Sequence, residues 1–290
     1  MEQPLVSVSV VTYNSARTVI ETLDSIFNQT YPCLELIISD DCSTDKTIEI
    51  CDKWIERHKE RFVRTELLTI DKNTGVSANS NRARQACQAE WVKPIAGDDI
   101  LLPDCVQIYM EYVDKHHDVI YLFSKVECFG ASEKRCREVE NFFVYDFFSW
   151  NNEKQLEYLL CVRNCIPAPT AFYNKKKLNA LNIKCDERIP MLEDWPRWIN
   201  IVKAGVKLFF LDKVLVQYRI SEQSLTNSST LSNIMDKSMA LFRIYYLAPE
   251  LWVIKQKFRA VCEYCFGRKV LSHNKLEWLF WAICLKLWTF

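Results

Sequence analysis

Three stretches decide the reading of this chain: VSVSVVTYN (residues 6–14), LELIISDD (34–41) and WVKPIAGDD (91–99). Each is an apolar, β-rich run that stops on Thr, Asn or Asp. Runs of that length read as buried strands with polar carboxyl ends. Between the first two, Ser15 is placed to cap a helix with Val19, Ile20, Leu23, Ile26 and Phe27 on one face. After the second, Ser43 or Thr44 opens a helix that turns Ile48, Cys51, Trp54 and Ile55 inward. Residues 66–70 read as a third strand, 77–89 as a helix of small residues, and 119–126 as a strand after a helix opened by Pro103 and Asp104. Strands alternating with helices predict an α/β fold: a mostly parallel central sheet with crossover helices on both faces.

The second half is less regular. Residues 127–165 mix charge with aromatics, 191–204 read as a helix, 207–210 and 214–220 as two strands, and everything from Ile234 onward as helix. No stretch reaches the ~18 apolar residues of a membrane span.

Composition removes whole classes. With only five glycines, the chain contains no GxGxxG, no GxxxxGK[ST] and no GxSxG. Four histidines without HExxH leave oxygen atoms as the main ligands for any metal. The 37 basic and 37 acidic residues cancel, which speaks against a nucleic-acid partner. Thirteen scattered cysteines, with no signal-peptide pattern in MEQPLVSVSVV, read as reduced thiols of a cytoplasmic protein. The lone CxxC, Cys262 and Cys265, reads as helix core.

Ligands of open α/β sheets bind beyond the carboxyl ends of the strands. Those ends carry Thr12, Tyr13 and Asn14, then Asp40 and Asp41, then Asp71, Asn73 and Gly75, then Gly97, Asp98 and Asp99. Polar residues also make turns and caps at any strand end. Two separate Asp-Asp pairs ask for more than that. Adjacent carboxylates stay ionised readily only beside a cation. A hard ion such as Mg²⁺ or Mn²⁺ takes one or two carboxylates plus water and phosphate oxygens. Without a P-loop, the phosphates fit a nucleotide-sugar better than a triphosphate.

VSVSVVTYN, LELIISDDCSTDKT (34–47), NTGVSANSNRA (73–83) and AGDD (96–99), with a weaker tail in LEDWPRW (192–198) and YRISEQSLT (218–226), resemble family 2 glycosyltransferases of the GT-A fold, of the bacterial cell-surface polysaccharide type. The resemblance implies a catalytic domain over 1–230, with a nucleotide-binding half to about 105 and an acceptor half from about 106, and a helical C-terminal extension over 231–290. It implies an inverting enzyme using Mn²⁺ or Mg²⁺, a nucleotide-sugar donor, most readily UDP-linked, and a glycan or lipid-linked glycan acceptor. Thr12 and Tyr13, with Asn14 beside them, match positions lining the base. Asp41, with Asp40 beside it, matches the carboxylate that accepts from the base N–H. Asn81 matches a position near the sugar-phosphate. Asp98 matches the ribose-side carboxylate and Asp99 the metal ligand. Asp194, in the Glu193-Asp194 pair, matches the general base. The same pair also reads as first-turn acids favouring a helix dipole. Arg219 reads as a phosphate contact or as a strand arginine paired with an acid.

Two departures stand out. Cys42 replaces the family's glycine, which implies a slightly different turn, and Ser221 replaces a histidine, which leaves the third metal ligand to Glu222 or water. The C-terminal mixture of Lys, Arg and Trp (Trp252, Lys255, Arg259, Trp278, Trp281) reads either as an interfacial helix on the inner face of the plasma membrane or as a packed helix. The oligomeric state is not legible. Two other readings share these residues: a nucleotidyltransferase, disfavoured because residues 12–18 lack glycine, and an inactive binding protein on the same fold.

Overall fold

The computed structural model describes residues 3–220 and 229–247. Its strands are β1 (Val6–Thr12), β2 (Leu34–Asp40), β3 (Arg64–Leu68), β4 (Trp91–Ala96), β5 (Ile100–Leu101), β6 (Tyr121–Phe129), β7 (Phe172–Asn174) and β8 (Leu208–Arg219). Its α-helices are α1 (Val19–Phe27), α2 (Thr47–His58), α3 (Val76–Ala86), α4 (Cys105–Lys115), α5 (Glu133–Glu140), α6 (Asn152–Cys161), α7 (Lys175–Ala180), α8 (Trp195–Lys203) and α9 (Ser229–Phe242). The strands form one sheet in the order β3-β2-β1-β4-β7-β6-β8-β5. The pairs β1–β2, β1–β4, β2–β3 and β6–β8 are parallel; short β7 and β5 run antiparallel to their neighbours. The expected α/β architecture is therefore present, helices covering both faces.

The alternation of β1 explains the layering. Val6, Val8 and Val10 are buried with Leu23, Ile26, Trp54 and Tyr109 from α1, α2 and α4. Ser7 and Ser9 point to the opposite face and are buried as well, as in a central parallel strand. Glu35, the second residue of β2, has no exposure. An unpaired carboxylate there would cost several kcal/mol. Ser7 Oγ, Arg64 and the Gln88 amide all bond it, so the charge is matched. The same pairing sets β3: Arg64 lies opposite Glu35 in the ladder, so the strand begins two residues before the apolar run 66–70.

The second core lies on the other face, where Tyr121, Phe123 and Tyr173 meet Phe147, Leu159, Trp198 and Phe242. Of the aromatics in 142–150, Phe147 and Phe148 are core, whereas Phe142 is exposed. The two strands expected at 207–210 and 214–220 are one strand, β8. Its register against β6 jumps from Leu211 to Val214, so Asp212 and Lys213 bulge out without breaking the pairing. Residues just past the expected boundary at 230 pack on the sheet: Phe242 lies 4.4 Å from Trp195, and Tyr246 Oη donates to Asp186.

Candidate active site

The ladders bring three strand ends level. Thr12 pairs with Asp40, and Val11 pairs with Ala96. Gly97 N donates to Val11 O at 3.0 Å, and a Cβ on Gly97 would lie 2.8 Å from Thr12 Cγ2. Only glycine allows β4 to end this close to β1.

The residues along this edge divide into those that hold it and those that face outward. Thr12 Oγ1 donates to Asp40 Oδ2 at 2.7 Å, and Ser43 donates to Asp40 through both N and Oγ. Asp40 is fully buried by these bonds and holds the loop, rather than offering itself to a nucleotide as expected. Asn14 takes positive φ, and its Oδ1 accepts from Thr44 N. Cys42 has φ 67°. Cys42 thus holds a left-handed conformation that glycine adopts readily. The left-handed conformation costs roughly 1–2 kcal/mol for a residue with a Cβ, and the bonds to Asp40 hold it. Tyr13, 40 % exposed, presents its ring to solvent at this edge.

Asp41 is nearly buried, and its carboxylate accepts from Thr74 N, Thr74 Oγ1, Gly75 N and Arg82 Nη2. Four donors fill a carboxylate's lone-pair directions. Here Asp41 moors the loop before α3, so a base N–H would have to replace one of these donors. Asn81 is a second correction. Its Oδ1 accepts from Cys185 N, and its Nδ2 donates to Cys185 O and Glu187 Oε1. Both of its N–H groups clamp the 185–187 segment, and neither is left to donate to a phosphate.

Asp98 and Asp99 follow β4. Asp99 is buried, and its Oδ1 accepts from Arg219 N at 3.0 Å. Burial, then the charge of Asp98, pushes Asp99 well above the usual carboxylate range; burial also raises Asp98, against the pull of Arg219. Arg219 matches its reading as a strand arginine paired with an acid. Its Nε donates to Asp98 O, its Nη2 to Glu21, and its guanidinium lies 4.4 Å over the Phe129 ring. Two adjacent desolvated carboxylates are a donor set that fits a hard divalent cation. Among the described residues no third Asp, Glu, His or Cys joins them, which fits an ion completed by water and phosphate oxygens. Ser221 and Glu222 lie outside the described residues.

Asp194 caps α8: its Oδ1 accepts from Trp195 N at 2.6 Å, and its Oδ2 from Asn164 Nδ2 at 2.7 Å. Glu193, beside it, accepts no side-chain hydrogen bond among the described residues. Burial and the neighbouring Asp194 push Glu193 up to about 7, and burial raises Asp194. Buried Arg197, three residues on, draws both the other way. Its guanidinium lies 4.7 Å over Trp198 and its Nη1 reaches Cys185 Sγ. A base must be unprotonated to accept a proton. Turnover should therefore rise with pH and level off above about 7, the pair titrating as a unit. A pH–rate profile flat from pH 5.5 to 8.5 would remove this pair from the chemistry.

The loop before the acid pair is fastened to the donor-side loop. Ser77 N and Oγ donate to Pro190 O and Ile189 O. Gly75, at φ +88°, sits where a Cβ would lie 2.6 Å from Pro190 Cβ and 2.9 Å from Pro190 O. Gly75→Ala should thus destabilise the fold by about 2–4 kcal/mol, from left-handed strain plus overpacking. It should also weaken nucleotide binding by displacing the Asp41 mooring. Urea unfolding and UDP titration read the two effects, and unchanged values for both would refute this contact.

A family model described as glycosyl transferase family 2 matches residues 7–179, more than half of the chain. The chain belongs to family 2 of the glycosyltransferases. An uncharacterized glycosyltransferase of Methanocaldococcus jannaschii is 26 % identical over 97 % of this chain and 89 % of its own length. The poly(ribitol-phosphate) β-N-acetylglucosaminyltransferase TarS of Staphylococcus aureus is also similar. Its residues 1–349, solved in complex with UDP-GlcNAc, superpose with a TM-score of 0.61 at 18 % identity, over 84 % of this chain and 73 % of that one. The mannosyltransferase PcManGT of Pyrobaculum calidifontis, in complex with GDP-Man and Mn²⁺, gives a TM-score of 0.58 at 17 % identity, over 100 % of this chain and 88 % of that one.

This family 2 glycosyltransferase holds its candidate site with partners to which sequence reading assigned no role. Asn164 fixes Asp194, Glu21 fixes Arg219, and Thr74 with Arg82 saturates Asp41. Each partner is distant in sequence and of a common residue type. Cys262, Cys265 and the C-terminal basic and aromatic residues lie outside the described residues. No helix among the described residues is long and apolar enough to cross a membrane.

Proposed function

We propose that this glycosyltransferase moves a sugar, with inversion, from a UDP-linked donor to a hydroxyl of a polysaccharide or lipid-linked oligosaccharide. One observation carries the reading: the Asp98–Asp99 edge beside exposed Tyr13 and the loop leading to Glu193–Asp194 belong to one fastened unit, joined through Gly75 and Ser77 to residues 189–190. Donor carboxylates and an acid pair raised toward neutrality are thereby held together. That the similar proteins were solved with UDP-GlcNAc and with GDP-Man and Mn²⁺ supports a nucleotide-sugar and a divalent ion.

In this reading the Tyr13 ring stacks on the base and Thr12, Asn14 and Asp40 keep its loop rigid, while Asp41 meets the base edge by exchanging one loop donor. Asp98 faces the ribose. Asp99 Oδ2, which accepts no hydrogen bond among the described residues, and Asp98 would hold Mn²⁺ or Mg²⁺. The bound ion would neutralise charge on the departing diphosphate. Asp194 takes the acceptor hydroxyl proton as that oxygen attacks the anomeric carbon from the face opposite the diphosphate. One C–O bond forms as the other breaks, and the nucleoside diphosphate leaves. Glu193 keeps the pair poised near neutral pH. Arg219 acts at one remove, tying β8 to the Asp98–Asp99 turn.

A screen of nucleotide-sugars for metal-dependent hydrolysis tests the donor class, and NMR of the product's anomeric configuration tests inversion. Hydrolysis of none, or a retained anomer, would reject the reading. The proposed residence is the cytoplasm, at the inner membrane face through the basic and aromatic C-terminus. Truncation after Gly267 should then release the protein from vesicles with anionic lipid, and unchanged co-sedimentation would reject it.

A further inference from the structure

The segment that supplies Asn164 to the acid pair also carries a cation with no charged partner among the described residues. Arg163 is half-buried, and its guanidinium makes no ion pair or hydrogen bond among the described residues. Its central carbon lies 4.2 Å from the centroid of the Phe142 ring, and both Phe142 (43 % exposed) and Val162 (59 % exposed) open to solvent. The next residue, Asn164, donates to Asp194 Oδ2 at 2.7 Å. Consecutive Cα atoms are about 3.8 Å apart, so the Arg163 backbone adjoins the residue that holds Asp194.

Stacking uses a guanidinium's face and leaves its in-plane N–H groups at the edge, the geometry that grips a carboxylate or phosphate through two parallel bonds. Those donors are unspent here, although elsewhere in this chain arginines spend theirs: Arg61 on four carbonyls, Arg82 on Asp41 and Asn79, Arg219 on Asp98 and Glu21. The electrostatics point the same way. Glu193 and Asp194 repel any anionic acceptor, so such an acceptor needs a compensating cation beside them.

We propose that Arg163, braced by Phe142, binds an anionic substituent of the acceptor glycan, a uronate carboxylate or a phosphodiester, on the sugar next to the attacked hydroxyl. The inference rests on the reading of Asp194 as the acceptor-side base. A charge-assisted bidentate contact corresponds to about 10–100-fold in affinity.

Calorimetric titration of the whole protein, with UDP and Mn²⁺ present, tests it with three probes of equal length: a uronate-containing oligosaccharide, its carboxyl-reduced form and a polyol-phosphate oligomer. At least one anionic probe should bind 10-fold or more tighter than the neutral one, and which of them does so identifies the anion. Arg163→Gln should abolish that preference, Arg163→Lys should restore part of it, and Phe142→Ala should weaken it, all with UDP affinity unchanged. The inference is overturned if neither anionic probe outbinds the neutral one, or if the preference survives Arg163→Gln. Failure of the wild-type protein to bind UDP would instead refute the donor reading.

Discussion

Asp194→Asn should lower the transfer rate by about 10²–10⁴-fold, the range of a lost general base, and leave UDP affinity within about twofold. The substitution isolates chemistry from folding. Asn is as good an N-cap as Asp, so the bond from Trp195 N to Oδ1 survives. The contact from Asn164 needs adjustment: turning its amide to present oxygen gives up the 3.2 Å bond from Ile166 N to Asn164 Oδ1. Glu193→Gln sharpens the test. Removing that charge lets Asp194 ionise more easily, because Glu193 and Asp194 oppose each other's ionisation. The acidic limb of the pH profile should move to lower pH while the plateau rate stays high. If the losses are exchanged, with Glu193→Gln dead and Asp194→Asn active, the proton goes to Glu193. Substantial transfer by both variants would remove the pair from the mechanism.

Asp99→Asn should abolish metal-dependent nucleotide binding, weakening UDP in the presence of Mn²⁺ by about 100-fold or more, the order of two carboxylate–metal contacts reduced to one. Stability should move in the opposite direction. Asp99 is buried beside Asp98 and its ionisation is opposed by both burial and that charge. The amide removes the repulsion and still accepts from Arg219 N through Oδ1. Thermal unfolding of the metal-free variant should thus be unchanged or slightly raised, a gain paired with lost function. Asp99→Ala, which also deletes the acceptor for Arg219 N, should lose about 1–2 kcal/mol. UDP binding indifferent to Mn²⁺ and to Asp99→Asn would sink the metal-diphosphate reading.

These two sites were legible in the sequence to different depths. Asp98–Asp99 follows a short apolar run that is a strand with the bounds read from pattern alone, and the parallel ladder beside β1 makes its end the ligand edge. Glu193–Asp194 was placed as catalytic only through resemblance. By itself it reads as a helix start, and the structure shows Asp194 doing that work as well, as the cap of α8. Asn81 was read as a ligand contact, but its N–H groups are spent on Cys185 and Glu187. Arg219, read either as a phosphate contact or as a strand arginine paired with an acid, pairs with Glu21.

What the sequence by itself determined is local or periodic: the strand–helix alternation, the apolar run of β1, the exclusion of glycine-rich phosphate loops, and the acids at strand ends. Hydrophobic period and residue type act over a few neighbours, so they survive without coordinates. Only the tertiary structure decided which lone pair is already occupied. Asp41 is filled by donors from Thr74, Gly75 and Arg82, and Asp194 is held by Asn164 from another loop. The placement of the Arg163 guanidinium over Phe142 and the single bulged strand β8 are likewise settled by partners elsewhere along the chain. A hydrogen bond is a matter of a few tenths of an ångström between distant segments, and no spacing in the sequence encodes that distance.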